Sequence, residues 1–490
     1  MAELKMKIKS GSIVIKNLKV LGGFIALTLI MRFFSFFPTL ISHDEGTFFV
    51  IARELFRGKI YFADLVDTKP IGIFVLLGLF IKYISASVFM LRLFAAITIA
   101  FTSFTLYRIS LHDQGEEKPA IATGVIFIFF LSVFTHFGVF INPELFYTLF
   151  TAIGFYIFIR TEKRGGYLLL GFLLGIGFIL KYVVLFDLAA WLMYVFVSAL
   201  FRKEWITIRK VFFNCLVACL GFLIPFAILV LYYYQVEHLK DFWYYTFGVT
   251  SRIPVERTLG QTIVYVGDFH LRYLPIVFFF YYALVKAKKN AQQQGIPNSL
   301  LITWSLIVLV AIILPGKPFG HYFIQIMLPV SLVAGRFFRE DIVKPLWLKR
   351  IAGHPTGTFI LIVLITGNVF MQKHDYFDKP DMPEQVAEYL APRLKPEDRI
   401  FTGNYEAVLY YLLDKDCPVK YVHRSLMCDP AHRATLQVDL PAEMDVLMAM
   451  DLKYILIDRP YCYEPMNTYI KNNYMLIRKF PGNIQIYQKK

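Results

Sequence analysis

The stretch SHDEGTFFVIARELFRGKIYFADLVDTKP, residues 42–70, decides how the rest of the chain is read. It follows the first long apolar run directly. It opens on His43, Asp44 and Glu45 and closes on Asp67, Thr68, Lys69 and Pro70, so paired carboxylates and a lysine stand just past the end of an apolar segment. Within it, residues 47–56 mix apolar and charged groups at helical spacing. Phe48, Ile51, Ala52 and Leu55 share a face, with Arg53, Glu54 and Arg57 off it. That pattern predicts a helix lying on a membrane surface.

The surrounding composition calls for a membrane. Of 490 residues, 57% are hydrophobic and 18% charged, with 49 Phe and 30 Tyr; soluble domains carry roughly 25% charged residues. Several apolar runs reach the roughly 20 residues that cross a bilayer. A formal net charge of +15 would suggest nucleic acid in a soluble chain. Here the basic residues sit mostly in short loops between apolar runs, which is the positive-inside pattern. No arginine-rich motif or aromatic RNA-binding signature accompanies them, so no nucleic acid partner is expected.

The loop charges orient the runs. Lysines ahead of Val20 set the N-terminus in the cytoplasm, and Val20 to Ile41 reads as an uncleaved first span with Arg32 snorkelling outward. Residues 43–90 follow outside, with 70–88 a second surface helix or a re-entrant piece. From Leu91 the runs alternate across the membrane. Outer turns fall at Asn142-Pro143-Glu144, at Lys181, over 235–270 and at Gly316-Lys317. Basic turns at Lys163-Arg164, Arg202 to Lys210, Lys286 to Lys289 and Arg336 to Arg350 all fall inside. The fold class is a polytopic α-helical membrane protein of about eleven spans with its C-terminus outside.

Composition changes near His374. A membrane-embedded domain, residues 1–373, gives way to a charged tail, residues 374–490, that reads as a C-terminal extracytoplasmic α/β domain. Helices are expected over 383–390 and 405–413, strands over 453–458 and 483–487. Five cysteines are too few for a disulfide scaffold. Cys215 and Cys219 pack within an apolar run, while a pair among Cys417, Cys428 and Cys462 is able to bridge outside.

Positive-inside makes the outer cations informative, because they are the exceptions. Lys69, Lys181, Arg252, Arg257, Arg272 and Lys317 lie near span ends outside, with Asp44, Glu45, Asp67 and Glu144, and with His43, His270 and His321. They come from separate turns but share one membrane depth. Such a belt suits an anionic substrate whose tail lies in lipid and whose headgroup sits at the interface; a polyprenyl-phosphate sugar has that form. Moving its sugar needs a carboxylate to take the acceptor's proton, cations to stabilise the departing phosphate and a donor held for in-line attack. Asp44 is the candidate base. Lys69, with Lys317, is the candidate phosphate clamp. Glu144 is placed to orient the acceptor or a divalent cation, and no metal ligand set is assigned. His321 and Tyr322 either meet the headgroup or anchor at the interface. Each also has a plain structural reading. Asp44 and Glu45 suit the start of a helix, Glu144 follows Pro143 at a helix start, and Lys69 suits an interfacial anchor. Asp187, inside a span, reads as a hydrogen-bonded packing residue.

Taken together these residues resemble the C-fold glycosyltransferases of the protein O-mannosyltransferase and lipid A aminoarabinose transferase type. The resemblance rests on Asp44-Glu45 and the helix through Leu55, on Lys69-Pro70 followed by Leu91-Arg92-Leu93, on Asn142-Pro143-Glu144, on the glycine-rich run from Gly171 to Lys181, on Gly316-Lys317 through His321-Tyr322 to Pro329, and on Asp241 to Tyr244. It covers roughly residues 20–340, by hydropathy and motif order. It implies sugar transfer from a polyprenyl phosphate, with inversion, on the outer face of a bacterial inner membrane. The family's acid maps onto Asp44 and its phosphate-binding lysine onto Lys69; from the residues themselves, Glu45 and Glu144 join Asp44 as candidate catalytic groups, and Asp67, Asn142, Lys181, Lys317, His321 and Tyr322 join Lys69 as candidate substrate-binding residues. Ile71 stands where some relatives have a second proline, Thr68 where others have a glutamate, and Asn142 where others have an aspartate. The acceptor is a protein, lipid or glycan. A lipid-sugar flippase or transporter and a polysaccharide ligase are the rival readings.

Overall fold

The computed structural model describes residues 2–249, 252, 257–286 and 295–490; Lys288 and Lys289, expected at an inner turn, lie outside them. In chain order the first helices are α1 (Ala2–Arg32), α2 (His43–Leu55), α3 (Ile71–Tyr83), α4 (Val88–Gln114), α5 (Glu117–Val133), α6 (Pro143–Phe158), α7 (Arg164–Leu180), α8 (Val184–Arg202) and α9 (Trp205–Gln235). The chain sorts into two compact units. One holds Met1–Phe36, Arg92–Phe226 and Val255–Asp375; the other holds Phe37–Leu91, Ala227–Pro254 and Tyr376–Lys490.

The first unit is helical and apolar. Each run expected to span carries a helix, but among the described residues five helices are long and apolar enough to cross a membrane alone, or six counting Leu259–Arg272 with Leu274–Lys286, a pair bent by 92°. The other apolar helices, α6, α7, Asn298–Ile313 and Met327–Arg336 among them, have 10–17 residues. Local breaks shorten them. Asn142-Pro143 starts α6, and the extended Lys181 stops α7 before α8 begins. The α7 and α9 backbones touch through glycines. A Cβ on Gly171 would lie 2.0 Å from the Ala218 carbonyl oxygen, and one on Gly175 2.4 Å from that of Phe222. Small residues permit this approach in lipid, where association rests on packing.

Arg32 does not snorkel. It is fully buried and donates to the carbonyls of Leu131 at 2.8 Å, Gly138 at 2.9 Å and Val139. The reason is local. After α5 the chain turns extended at Phe134 and makes a wide turn over Thr135–Val139, which frees carbonyls that a buried guanidinium can satisfy.

The second unit corrects the expected surface helix. In α2 every residue from Glu45 to Glu54 is buried, charged ones included. Its apolar face packs on α3, where Gly78 leaves room for Phe56 and the Ala52 carbonyl. Its charged face is covered by the tail. Arg53 donates to the carbonyls of Tyr410 at 2.9 Å and Lys415 at 2.6 Å, and Glu54 pairs with Arg53 at 2.8 Å and Lys59 at 2.9 Å. The tail forms a four-stranded sheet from β1 (Arg399–Phe401), β2 (Leu452–Ile457), β3 (Tyr474–Phe480) and β4 (Ile484–Lys489) in the order β1-β2-β4-β3. Strands β1 and β2 run parallel; the other pairs are antiparallel. Helix Met382–Leu390 and strands β2 and β4 lie where the pattern put them. Of the helix expected over 405–413, Val408–Leu412 forms. Cys428 and Cys462 form a disulfide, and Cys417 is a buried thiol whose pKa burial pushes up to about 12.

Candidate active site

In the second unit, Ser42 precedes α2 without a side-chain cap, so Asp44 and Glu45 occupy the helix's first turn, where carboxylates are favoured. Their roles diverge by direction. Glu45 is fully buried, and its Oε2 accepts the Ile41 N–H at 3.1 Å, tying down the chain that enters α2. Asp44 is half-buried and meets two cationic or ionisable groups at one oxygen. The Lys69 ammonium lies 3.3 Å and the His423 Nε2 3.4 Å from Oδ1.

The loop before α3 holds Lys69 in place. Asp67 is buried; its Oδ1 accepts the Lys69 N–H at 3.1 Å and stands 3.5 Å from the Lys69 ammonium. The buried Tyr61 hydroxyl reaches the Asp67 and Lys69 carbonyls. Lys69 also sits 5.5 Å from the centre of the Phe48 ring on α2, a cation–π distance. The tail arrives by backbone pairing. Val66 bridges Tyr421, with the Val66 N–H donating to the Lys420 carbonyl at 2.8 Å, and two residues on the chain delivers His423.

The surroundings of His423 and His43 favour one tautomer of each. The Ser425 N–H donates to His423 Nδ1 at 3.3 Å and the Ser425 hydroxyl lies 2.7 Å from the same nitrogen; with Nδ1 as the acceptor, the ring proton of the neutral imidazole is on Nε2, facing Asp44. Burial first, and Lys69 second, hold the His423 pKa below its ordinary value, while Asp67 and Asp44 act the other way. Arg424 donates to His43 Nε2 at 2.6 Å, so His43 Nδ1 carries the proton it gives to Glu406 at 2.6 Å. Sequence reasoning missed His423, Arg424 and Glu406. They lie in the tail, where charged residues are common and no motif marks them.

The first unit assembles a second group. Asn142 begins α6; its Nδ2 donates to the Phe140 carbonyl at 3.1 Å, and its Oδ1 is buried without a partner among the described residues. Glu144 in the first turn is fully buried, ion-paired to Lys181 and 3.8 Å from His321 Nε2. Lys181 also lies 4.2 Å from the Tyr322 ring centre. Among the described residues Lys317 makes no hydrogen bond or ion pair, so the structure does not join it to this group. Arg257 was noted only as an outer cation, yet it stands out. Its guanidinium stacks 4.2 Å from the Tyr265 ring centre, and both terminal nitrogens are buried without a hydrogen-bond partner among the described residues. Asp187 accepts from Trp304 at 2.6 Å and Gln325 at 2.8 Å, a satisfied packing residue as expected. Among the described residues no three His, Cys, Asp or Glu side chains converge as a metal site requires. With Lys181 and His321 around Glu144, the donor set there does not fit the divalent cation that the sequence allowed.

Residues 68–230 match the family of dolichyl-phosphate-mannose-protein mannosyltransferases. No functionally curated protein matches the sequence. Among solved structures, ArnT from Cupriavidus metallidurans bound to undecaprenyl phosphate superposes with a TM-score of 0.70 at 12% identity, covering 95% of this chain and 97% of that one. The archaeal oligosaccharyltransferase AglB from Archaeoglobus fulgidus, in complex with an inhibitory peptide and a dolichol-phosphate, superposes with a TM-score of 0.51 at 11% identity, covering 97% and 74%. The chain therefore has the C-type glycosyltransferase fold of a multi-pass membrane protein.

Proposed function

We propose that this chain is a membrane glycosyltransferase that moves a sugar from a polyprenyl phosphate to a hydroxyl acceptor, with inversion, on the outer face of a bacterial inner membrane. The observation that carries the reading is the meeting of Asp44, Lys69 and His423 at the start of α2. A carboxylate beside a cation supplies both halves of the chemistry. The acceptor oxygen bonds to C1 of the sugar as the C1–O bond to phosphate breaks. The bonding pair leaves on the phosphate oxygen and the acceptor's proton passes to Asp44. Lys69 faces the charge that develops on the phosphate, and Asp67 and Glu45 hold the two loops that present these groups. In the first unit, Arg257 lies against the Tyr265 ring with both terminal guanidinium nitrogens out of solvent, and a lipid phosphate is an anion able to pair with them. The fold is shared with proteins solved with undecaprenyl phosphate and with a dolichol-phosphate, which supports a donor of this class. Within the first unit, Glu144, Lys181, His321 and Tyr322 form a charged group of their own, with Asn142 close by in sequence, and this reading assigns them no step.

The disulfide in the tail supports an extracytoplasmic tail, since such bonds persist in oxidising compartments. The N-terminus then lies in the cytoplasm by positive-inside.

The test uses the purified chain in lipid with radiolabelled polyprenyl-phosphate sugars, following loss of sugar from the donor. Asp44→Asn and Lys69→Ala each lower turnover by on the order of a hundredfold, the range for losing a base or a charge clamp. Variants that consume donor as the wild type does overturn the assignment. A wild type that consumes no donor, but moves it across sealed vesicles, replaces transfer by transport.

A further inference from the structure

Beside Asp44 the tail encloses a cleft that the reaction above leaves without a role. It measures about 480 Å³ and is lined by His43, His423, Asn404, Arg424, Asp429 and Arg459, with Cys428 and Cys462 in its wall. That volume falls in the roughly 300–1,000 Å³ range of small-ligand sites. Its lining places polar and charged side chains, donors and acceptors side by side, among apolar surface. Arg424 is fixed by the Asn404 carbonyl at 3.0 Å and by Glu406 at 3.4 Å, and Asn404 is locked to the backbone at Arg459 and Asp458. The disulfide joins two of the segments that line it, residues 423–429 and 459–462. The cleft is thus a rigid, polar, partly open space. It shares one wall, His423, with the group that touches Asp44.

We propose that this cleft is the acceptor subsite, that it takes a saccharide hydroxyl, and that His423 is the positioning residue that aims Asp44 at it. The inference rests on the transferase reading and adds where the acceptor enters and what class it is. Arginine, asparagine and aspartate at fixed spacing match the donors and acceptors around a sugar ring. The Nε2–H of neutral His423 faces Asp44 Oδ1, so it orients the carboxylate without removing its charge. The tail then contributes to the chemistry as well as to acceptor choice.

The experiment uses the full chain in lipid nanodiscs with labelled polyprenyl-phosphate sugar and a bacterial envelope extract as acceptor. Transferred label is separated into saccharide-bearing and protein fractions, and undecaprenyl phosphate serves as the donor-site probe. His423→Ala lowers kcat by on the order of tenfold to a hundredfold, the cost of a misaimed group, with the Kd for undecaprenyl phosphate unchanged. His423→Gln, whose amide donates in place of Nε2–H, recovers part of that loss. Arg459→Trp narrows the rim at a side chain that is 66% exposed and raises the apparent KM for extract at unchanged kcat. Label collects in the saccharide fraction. Label in the protein fraction overturns the acceptor class. Normal kinetics in all three variants overturn the cleft while the transferase reading stands. A wild type that consumes no donor overturns both.

Discussion

At the scale of single residues, Arg257 stands out. Positive-inside singled it out as an outer cation, but nothing in the sequence shows that its terminal nitrogens are buried. Its two terminal nitrogens are buried and unpaired among the described residues. If a donor phosphate is its partner, Arg257→Ala weakens undecaprenyl phosphate binding by about 10- to 100-fold, the worth of a charge-assisted bond of roughly 1.5–3 kcal/mol. Arg257→Lys keeps part of it, and thermal stability in the absence of lipid phosphate does not fall. A stability loss with unchanged affinity would assign Arg257 to packing instead. His423 makes a second residue-scale prediction. Its folded pKa is depressed by burial, by Lys69 and by His43, against Asp67 and Asp44 nearby, from an ordinary value of about 6.5. Between the depressed value and about 6.5 the unfolded chain binds more protons, so stability rises with pH across that window. Thermal melts from pH 8 down to 5 therefore show a loss setting in below about 6.5 in the wild type, and His423→Gln shows a flatter profile. Asp44 and Lys69 were legible because each sits at a span edge beside a proline or a second acid. His423 was not, because its meaning comes only from a contact across hundreds of residues.

At the scale of elements, the sequence read periodicity well and surroundings poorly. The stretch 47–56 did form a helix, but the alternation that suggests a membrane surface equally suits a helix covered on both sides. Arg53 and Glu54 are buried in α2 because the tail supplies carbonyls and Lys59 supplies a charge. Strand β1 has three residues and β3 is largely exposed, so neither gave an apolar alternation to read. The glycine-rich run ending at Lys181 was noted as resemblance and now has a cause. Gly175 faces the Phe222 carbonyl at 2.4 Å and Pro225 at 2.9 Å from its would-be Cβ. Gly175→Val therefore separates α7 from α9 and destabilises by about 1–3 kcal/mol, the usual cost of overpacking. Gly165→Ala, with nothing within 4 Å, serves as the control. Thermal unfolding in lipid distinguishes them, and equal melting of the two would deny the close crossing.

At the scale of the whole chain, the question is whether residues 376–490 are a detachable domain. Composition drew a boundary near His374. Yet the tail shares a compact unit with 37–91 and 227–254. Its contacts with α2 are of a kind that truncation cannot leave intact. Arg53 would lose the carbonyls of Tyr410, Tyr411 and Lys415 and the carboxylate of Asp414. His43 would lose Glu406 and Arg424, and Asp44 would lose His423. Stripping the partners from one buried charge costs about 3–5 kcal/mol, a large share of the roughly 5–15 kcal/mol that holds a typical domain folded. A chain ending at Asp375 is therefore expected to lose donor consumption altogether, not merely acceptor choice. Its α2 segment becomes open to proteolysis near Arg53 and Arg57. Co-expression of residues 376–490 as a separate polypeptide restores part of the activity, because most of what is missing is side-chain and carbonyl contact rather than chain continuity. A truncated chain that hydrolyses donor at the wild-type rate would instead make the tail an accessory, and Asp44 with Lys69 would have to suffice without it.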